Sequence, residues 1–205
     1  KINHLSLLRT KKLRLCVSRY NRQVIWRDLG ICVKPTLRLC AEIIGLFCAH
    51  TQNDWMRIAL NARHMLEDRL EGLGIVTDEV MGRMAKSHPE DQFDYYFDRK
   101  YDQRFVHSTN VTPHTKHPVT RLPILIRYWL DHPVRKDVVK QKANVFFSPD
   151  GFIPLGMGIP KVSMVHDVAY LRYPEHLQPR IRSFYKKWMP RYLAYTDHII
   201  TVSEF

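Results

Sequence analysis

Apolar and polar residues alternate through "MRIALNA" (56–62), with Ile58 and Leu60 on one side of an extended chain and Ala59 on the other, which predicts a strand. A charged stretch, "RHMLEDRLEGLG", follows. Val76, Val80 and Met84 then recur at helical spacing and predict a helix over 75–87, which Pro89 closes. "QFDYYFD" (92–98) and "NVTPHTK" (110–116) read as a second and a third strand, Pro113 weakening the latter. The stretch "PILIRYWLDHPVRKDVVKQ" predicts a helix that Pro133 breaks or kinks. Strands over 143–149 and 161–166, a helix over 179–195 and a strand over 198–203 complete the pattern, and Ser203 and Glu204 read as the start of a further helix with Ser203 as its N-cap. Strands alternating with helices predict an α/β domain built on an open, mainly parallel sheet flanked by helices. Such sheets bind ligands outside the carboxyl ends of their strands.

Candidate chemistry gathers at that edge. His166 and Asp167 close the strand "KVSMVH". Gly72, Leu73 and Gly74 fall between the first strand and the first helix, where glycine lets the backbone approach a ligand and the helix N-terminus offers unpaired N–H groups to a phosphate. The dinucleotide fingerprint G-x-G-x-x-G fails, because position 77 is Thr. A helix-start loop without a ligand is the competing reading of these glycines. Asp150 and Gly151, in "SPDG", end another strand at the same edge, where a plain turn explains them equally well.

Charge divides the chain. Residues 1–55 hold 10 Lys and Arg against 3 Asp and Glu, while residues 56–205 hold 22 against 17, so the body carries a net of only +5 of the total +12. All four cysteines lie in the first segment and all seven methionines in the second, beginning at Met56. Cys16, Cys32, Cys40 and Cys48 have no C-x-x-C spacing, which argues against a zinc site, and they form no recognisable disulfide framework. Residues 1–55 read as a basic, non-native extension upstream of a start at Met56; a basic N-terminal helix pair is the alternative. No apolar run reaches the ~18 residues of a membrane span.

Four blocks carry a family resemblance: "MRIALNARHMLEDRLEGLGIVTDEVMGRMAKSHPEDQFDYYFDR", "ANVFFSPDGF", "VSMVHDVAYLRYPEHL" and "YLAYTDHIITVSEF". Their order and spacing resemble the N-terminal Rossmann-like domain of family 4 glycosyltransferases of the GT-B fold, over most of Met56 to Phe205. The resemblance implies retaining transfer of a sugar from a nucleotide-sugar donor to a glycan or glycolipid acceptor, with no metal or other cofactor. It implies that His166, with Asp167 beside it, stands in the catalytic cleft near the donor sugar, that Gly72 and Gly74 approach the donor diphosphate, and that Asp150 and Gly151 meet the acceptor. Glu71 stands where many members have another glycine. The resemblance further implies a second, donor-binding domain after Phe205, without which residues 56–205 should not turn over. The expected setting is cell-surface polysaccharide biosynthesis in the cytoplasm, peripheral to the inner face of the cell membrane.

Rival classes set the limits of this reading. A non-catalytic nucleotide- or nucleic-acid-binding Rossmann-like protein would use the same glycines, but the modest charge of the body and the lack of a helix-turn-helix or RNA-reading aromatic signature argue against nucleic acid. A serine hydrolase would need a G-x-S-x-G elbow, which is absent, and "HD" alone does not assemble a metal phosphohydrolase. The helix over 179–195 interleaves Arg180, Arg182, Lys186, Lys187 and Arg191 with Phe184, Tyr185, Trp188 and Tyr192, which suits contact with an anionic membrane. Ile181, Phe184, Trp188 and Tyr192 also recur at helical spacing and suit a face packed on the sheet.

Overall fold

The computed structural model describes residues 55–201 except residue 69. The expectations placed on residues 1–54 and on Ser203 and Glu204 lie outside it. Six strands, β1 (Arg57–Asn61), β2 (Gln92–Phe97), β3 (Val111–Thr115), β4 (Val145–Ser148), β5 (Lys161–Val165) and β6 (His198–Thr201), form one sheet in the order β3-β2-β1-β4-β5-β6. Every pairing is parallel. The chain thus builds outward from β1 in one direction, returns, and builds outward in the other. The reversal falls between β1 and β4, where Leu60 pairs with Phe147.

The strands are apolar on both faces because both faces are covered. On one side Ile58, Leu60, Phe93, Tyr95 and Phe147 pack with Val80, Met81 and Met84 of α1 (Gly72–Ser87). On the other, Ala59, Tyr96 and Phe146 pack with two further helical stretches. One comprises α2 (Pro123–Trp129), a π-helical turn (Leu130–Val134) and α3 (Arg135–Lys140), and contributes Trp129, Leu130, Val134 and Val138. A four-residue helix, α4 (Ala169–Arg172), precedes the other, α5 (Pro179–Tyr195), which contributes Phe184, Trp188, Met189 and Tyr192. Those four are the residues of the apolar stripe or its neighbours, so the stripe of α5 faces the sheet, while Arg180, Arg182, Lys186, Lys187 and Arg191 are exposed.

Three local features have physical reasons. Helix α1 starts at Gly72 rather than at 75: Glu71 is extended and its carbonyl accepts the N–H of Ile75 (2.8 Å), so the glycines form the first turn. Pro133 does not end its helix. A proline removes an N–H and crowds the preceding turn, and the wider π turn absorbs both while the helix continues to Lys140. Pro113 is tolerated within β3 because β3 is an edge strand.

Candidate functional site at the switch point

Where the strand order reverses, the segments that follow β1 and β4 pack on opposite faces of the sheet and leave a crevice at the carboxyl ends of the two strands. Asp150, two residues past β4, organises it. Its Oδ1 accepts from Asn61 Nδ2 (3.0 Å) at the end of β1, from Ser148 Oγ (2.7 Å) and from the Phe152 N–H (3.1 Å). Its Oδ2 accepts from Arg63 Nε (2.8 Å) and Nη2 and from His64 Nε2 (2.9 Å). The side chain is 3% exposed. Burial opposes its ionisation, but the Arg63 charge and the His64 hydrogen bond outweigh that and hold the carboxyl well below the usual carboxylate range. With both oxygens saturated, Asp150 is a permanent anion that positions Arg63 and His64 and has no lone pair to spare for a ligand. Gly151 follows at φ 81° with Met189 Cε 3.0 Å from where a Cβ would stand, so the turn after Asp150 requires glycine.

A cleft of about 360 Å³ opens beside this cluster. Arg63, His64, Asp150, His166 and Asp167 supply its polar wall, and Leu73, Phe152, Tyr170, Tyr185 and Met189 its apolar one. The fold therefore brings His166, Asp167 and Asp150 together; of the turn between the two glycines, Leu73 lines the cleft and Gly72 and Gly74 do not. The ring of His166 bonds to the Pro149 carbonyl through Nε2 (2.8 Å), which makes Nε2 the donor and leaves Nδ1 as the acceptor nitrogen of the neutral ring. Asp167 accepts the Ala169 N–H (2.9 Å), capping the approach to α4 rather than orienting His166. Tyr185 is held in its phenol form, first by burial and then by the negative charge of Asp150.

The two glycines differ. A Cβ on Gly74 would lie 2.5 Å from the His64 carbonyl oxygen and 2.8 Å from Leu70 Cδ1, so Gly74 lets α1 approach the β1–α1 loop. A Cβ on Gly72 would meet nothing within 4 Å. Thr77 stands buried at the third fingerprint position, its hydroxyl bonded to the Leu73 carbonyl (2.7 Å). Arg63 and His64 escaped the sequence reading because "RHMLEDRLEGLG" shows only a charged loop; their partner lies 86 and 87 residues away.

Among the described residues, one group has ligand atoms close enough to hold a metal ion: His88, Glu90 and Asp91, within 4.8 Å of one another. It lies between α1 and β2, at the amino ends of the strands and away from the cleft, and Asp91 already accepts the Met56 N–H (2.7 Å). No described helix is long and apolar enough to cross a membrane.

No family model, curated protein or solved structure matches the chain. The geometry itself makes residues 55–201 a Rossmann-like α/β domain, with a cleft at its switch point suited to a nucleotide or another small ligand.

Proposed function

We propose that the chain forms the acceptor-side, Rossmann-like part of a retaining glycosyltransferase that moves a sugar from a nucleotide-sugar to a glycan or glycolipid acceptor in cell-surface polysaccharide assembly, working from the cytoplasm beside the membrane. The observation that carries this reading is convergence. His166, Asp167, Asp150 and the Gly72–Gly74 turn were singled out by resemblance from separate parts of the chain, and His166, Asp167, Asp150 and, from the turn, Leu73 line one cleft at the switch point.

In this reading the bond from the anomeric carbon to the donor diphosphate breaks as a bond to an acceptor oxygen forms, and the acceptor proton leaves with the diphosphate. The acceptor nitrogen of His166 takes a hydrogen bond from a hydroxyl of the transferred sugar. The N–H groups of the first turn of α1 face the diphosphate. Tyr170, Tyr185 and Phe152 offer ring faces and edges to an acceptor sugar. Asp150 and Gly151 act through the wall they build: Asp150 holds Arg63 and His64, and Gly151 makes the turn. The outward basic residues of α5 provide an electrostatic contact with anionic lipid.

A non-catalytic nucleotide-binding module is the second reading, favoured by the carboxylates of the cleft. Asp150, the buried carboxylate, is saturated and cannot serve as a base, while Asp167 is exposed and commits one oxygen to the Ala169 N–H. One titration addresses both. The histidine ring signals of the protein are followed by NMR against a panel of nucleotide-sugars, with release of nucleoside diphosphate assayed in parallel. A nucleotide-sugar that moves the His166 signal, and whose affinity falls by about tenfold or more in His166→Ala at unchanged melting temperature, is the expected result. Because the first reading expects turnover only with a second, donor-binding domain, binding without transfer by these residues fits both readings, and transfer by a chain carrying that domain decides for the enzyme. A panel that leaves His166 unmoved removes both readings of this cleft.

A further inference from the structure

A second hollow, wider than the switch-point cleft, opens elsewhere on the described surface. A groove of about 590 Å³ lies between the α2–π–α3 helix and the loop that joins β4 to β5. His117, His132, Arg135 and Lys136 line it beside Tyr128 and Val139, and none of its lining residues is acidic. The two carboxylates of this helix are committed elsewhere. Asp131 accepts the Leu155 N–H (2.8 Å) and Arg127 Nε (3.3 Å), and Asp137 accepts Lys116 Nζ (3.0 Å) and the Tyr96 hydroxyl (3.2 Å).

Three features make this a shaped site and not a scatter of surface cations. Arg135 is fixed, because its Nη1 donates to the Leu155 carbonyl (3.1 Å), leaving the other nitrogens of the fork available. The loop wall is built close: Gly156 has φ 71°, and a Cβ there would stand 3.3 Å from Arg135 Nη1. The π turn carries His132 and Pro133 together on the groove wall, and single π turns within helices are frequent at functional sites. Tyr128 stacks at a tilt on His132 (4.8 Å) and is half exposed, as is Val139, so apolar surface borders the cationic groups.

We propose that this groove binds a phosphate-bearing ligand, with Arg135 and Lys136 supplying the positive charge, His117 and His132 supplying imidazole N–H donors, and Tyr128 and Val139 contacting the apolar part of the molecule that carries the phosphate. A guanidinium and an ammonium in one acid-free hollow are the partners that phosphate oxygens require. The ligand chemistry has two sources, a soluble phosphate ester or a phospholipid headgroup. The assignment is independent of the switch-point reading, since no residue is shared between the two hollows.

The test uses inorganic pyrophosphate by calorimetry and, separately, co-sedimentation with phosphatidylglycerol vesicles. Each is run on the native chain, on His117→Ala/Lys136→Ala, in which both residues are exposed, and on Lys86→Ala, which removes an exposed cation from α1 on the opposite face of the sheet. Pyrophosphate affinity should fall by about tenfold or more in the double variant and be unchanged in Lys86→Ala. Vesicle binding that follows the same residues assigns the phosphate to a lipid headgroup; vesicle binding that ignores them, or none, assigns it to a soluble ester. Failure of both probes to show dependence on His117 and Lys136, or an equal loss in Lys86→Ala, overturns the site.

Discussion

Asp150 carries more of the site than any other single residue, and its substitution separates charge from shape. Asp150→Asn keeps the size but leaves Arg63, whose side chain is 8% exposed, without its anion. Removing one partner of a buried ion pair costs about 3 to 5 kcal/mol, and the loss here should lie near 3 because His64, at 29%, can regain water. The pH dependence has a fixed sign. The folded pKa of Asp150 is depressed, so the stability it contributes is complete above the unfolded value of about 3.9 and is lost as pH falls from there through the folded value. Asp98, Asp137 and Asp197 are also depressed despite burial, by hydrogen bonds from Arg99, Lys116 and Lys161 respectively, but they are common to both proteins and cancel. Urea unfolding of the two forms should therefore differ by about 3 kcal/mol at pH 7, and the gap should narrow below about pH 4. A gap that stays constant into acid would mean that shape, not ionisation, makes Asp150 necessary.

At the scale of the element, the start of α1 offers the sharpest contrast. Gly74→Ala forces a Cβ against the His64 carbonyl, a backbone atom that cannot swing aside, and should cost about 1 to 3 kcal/mol as α1 is pushed from the loop that holds Arg63 and His64. Gly72→Ala meets open space at a helical position and should leave stability equal or raised by up to about 1 kcal/mol. Thermal melts of the pair decide it: two variants of equal stability would show that the first turn does not pack as described. Glycine is also why the sequence hid this boundary. Gly72 and Gly74 are poor helix formers and read as loop, and only the approach to His64 shows why they stand inside the helix. The elements β1, β2, β5 and α5 were legible because the three strands are short apolar runs buried on both faces and α5 buries one regular stripe. The π turn that accommodates Pro133, the short helix α4 and the pairing of Arg63 and His64 with Asp150 were not, because tertiary contacts decide them and no local period announces them. The site was legible as an edge, with His166, Asp167, Asp150 and the glycines on it, but its cationic wall was not.

For the whole molecule, strand order sets where stability concentrates. Among the described strands β1 and β4 are interior and covered on both faces, while β3 and β6 have one neighbour each, and β6 is only half-buried over most of its length. Hydrogen exchange should find the amides of Ile58 and Leu60 opening only with global unfolding, and those of Ile199 and Ile200 opening in a smaller, cheaper event. Equal protection of β1 and β6 would contradict this ranking.

The hub at Asp150 also has a history in time. Asn61 and Arg63 leave the ribosome before Ser148 and Asp150, which follow them by 87 residues. At about 5 to 20 residues per second that interval is roughly ten seconds, during which β1 has no partner on its β4 side. An unpaired strand edge of this kind invites pairing with another chain. Arg57, the first residue of β1, and Arg63, two residues past its end, flank the apolar run Ile58–Leu60, and charges flanking an apolar strand act against such pairing. The cation that Asp150 later binds is thus a guard on the nascent chain first, and the completed crevice certifies that the two halves of the sheet have met.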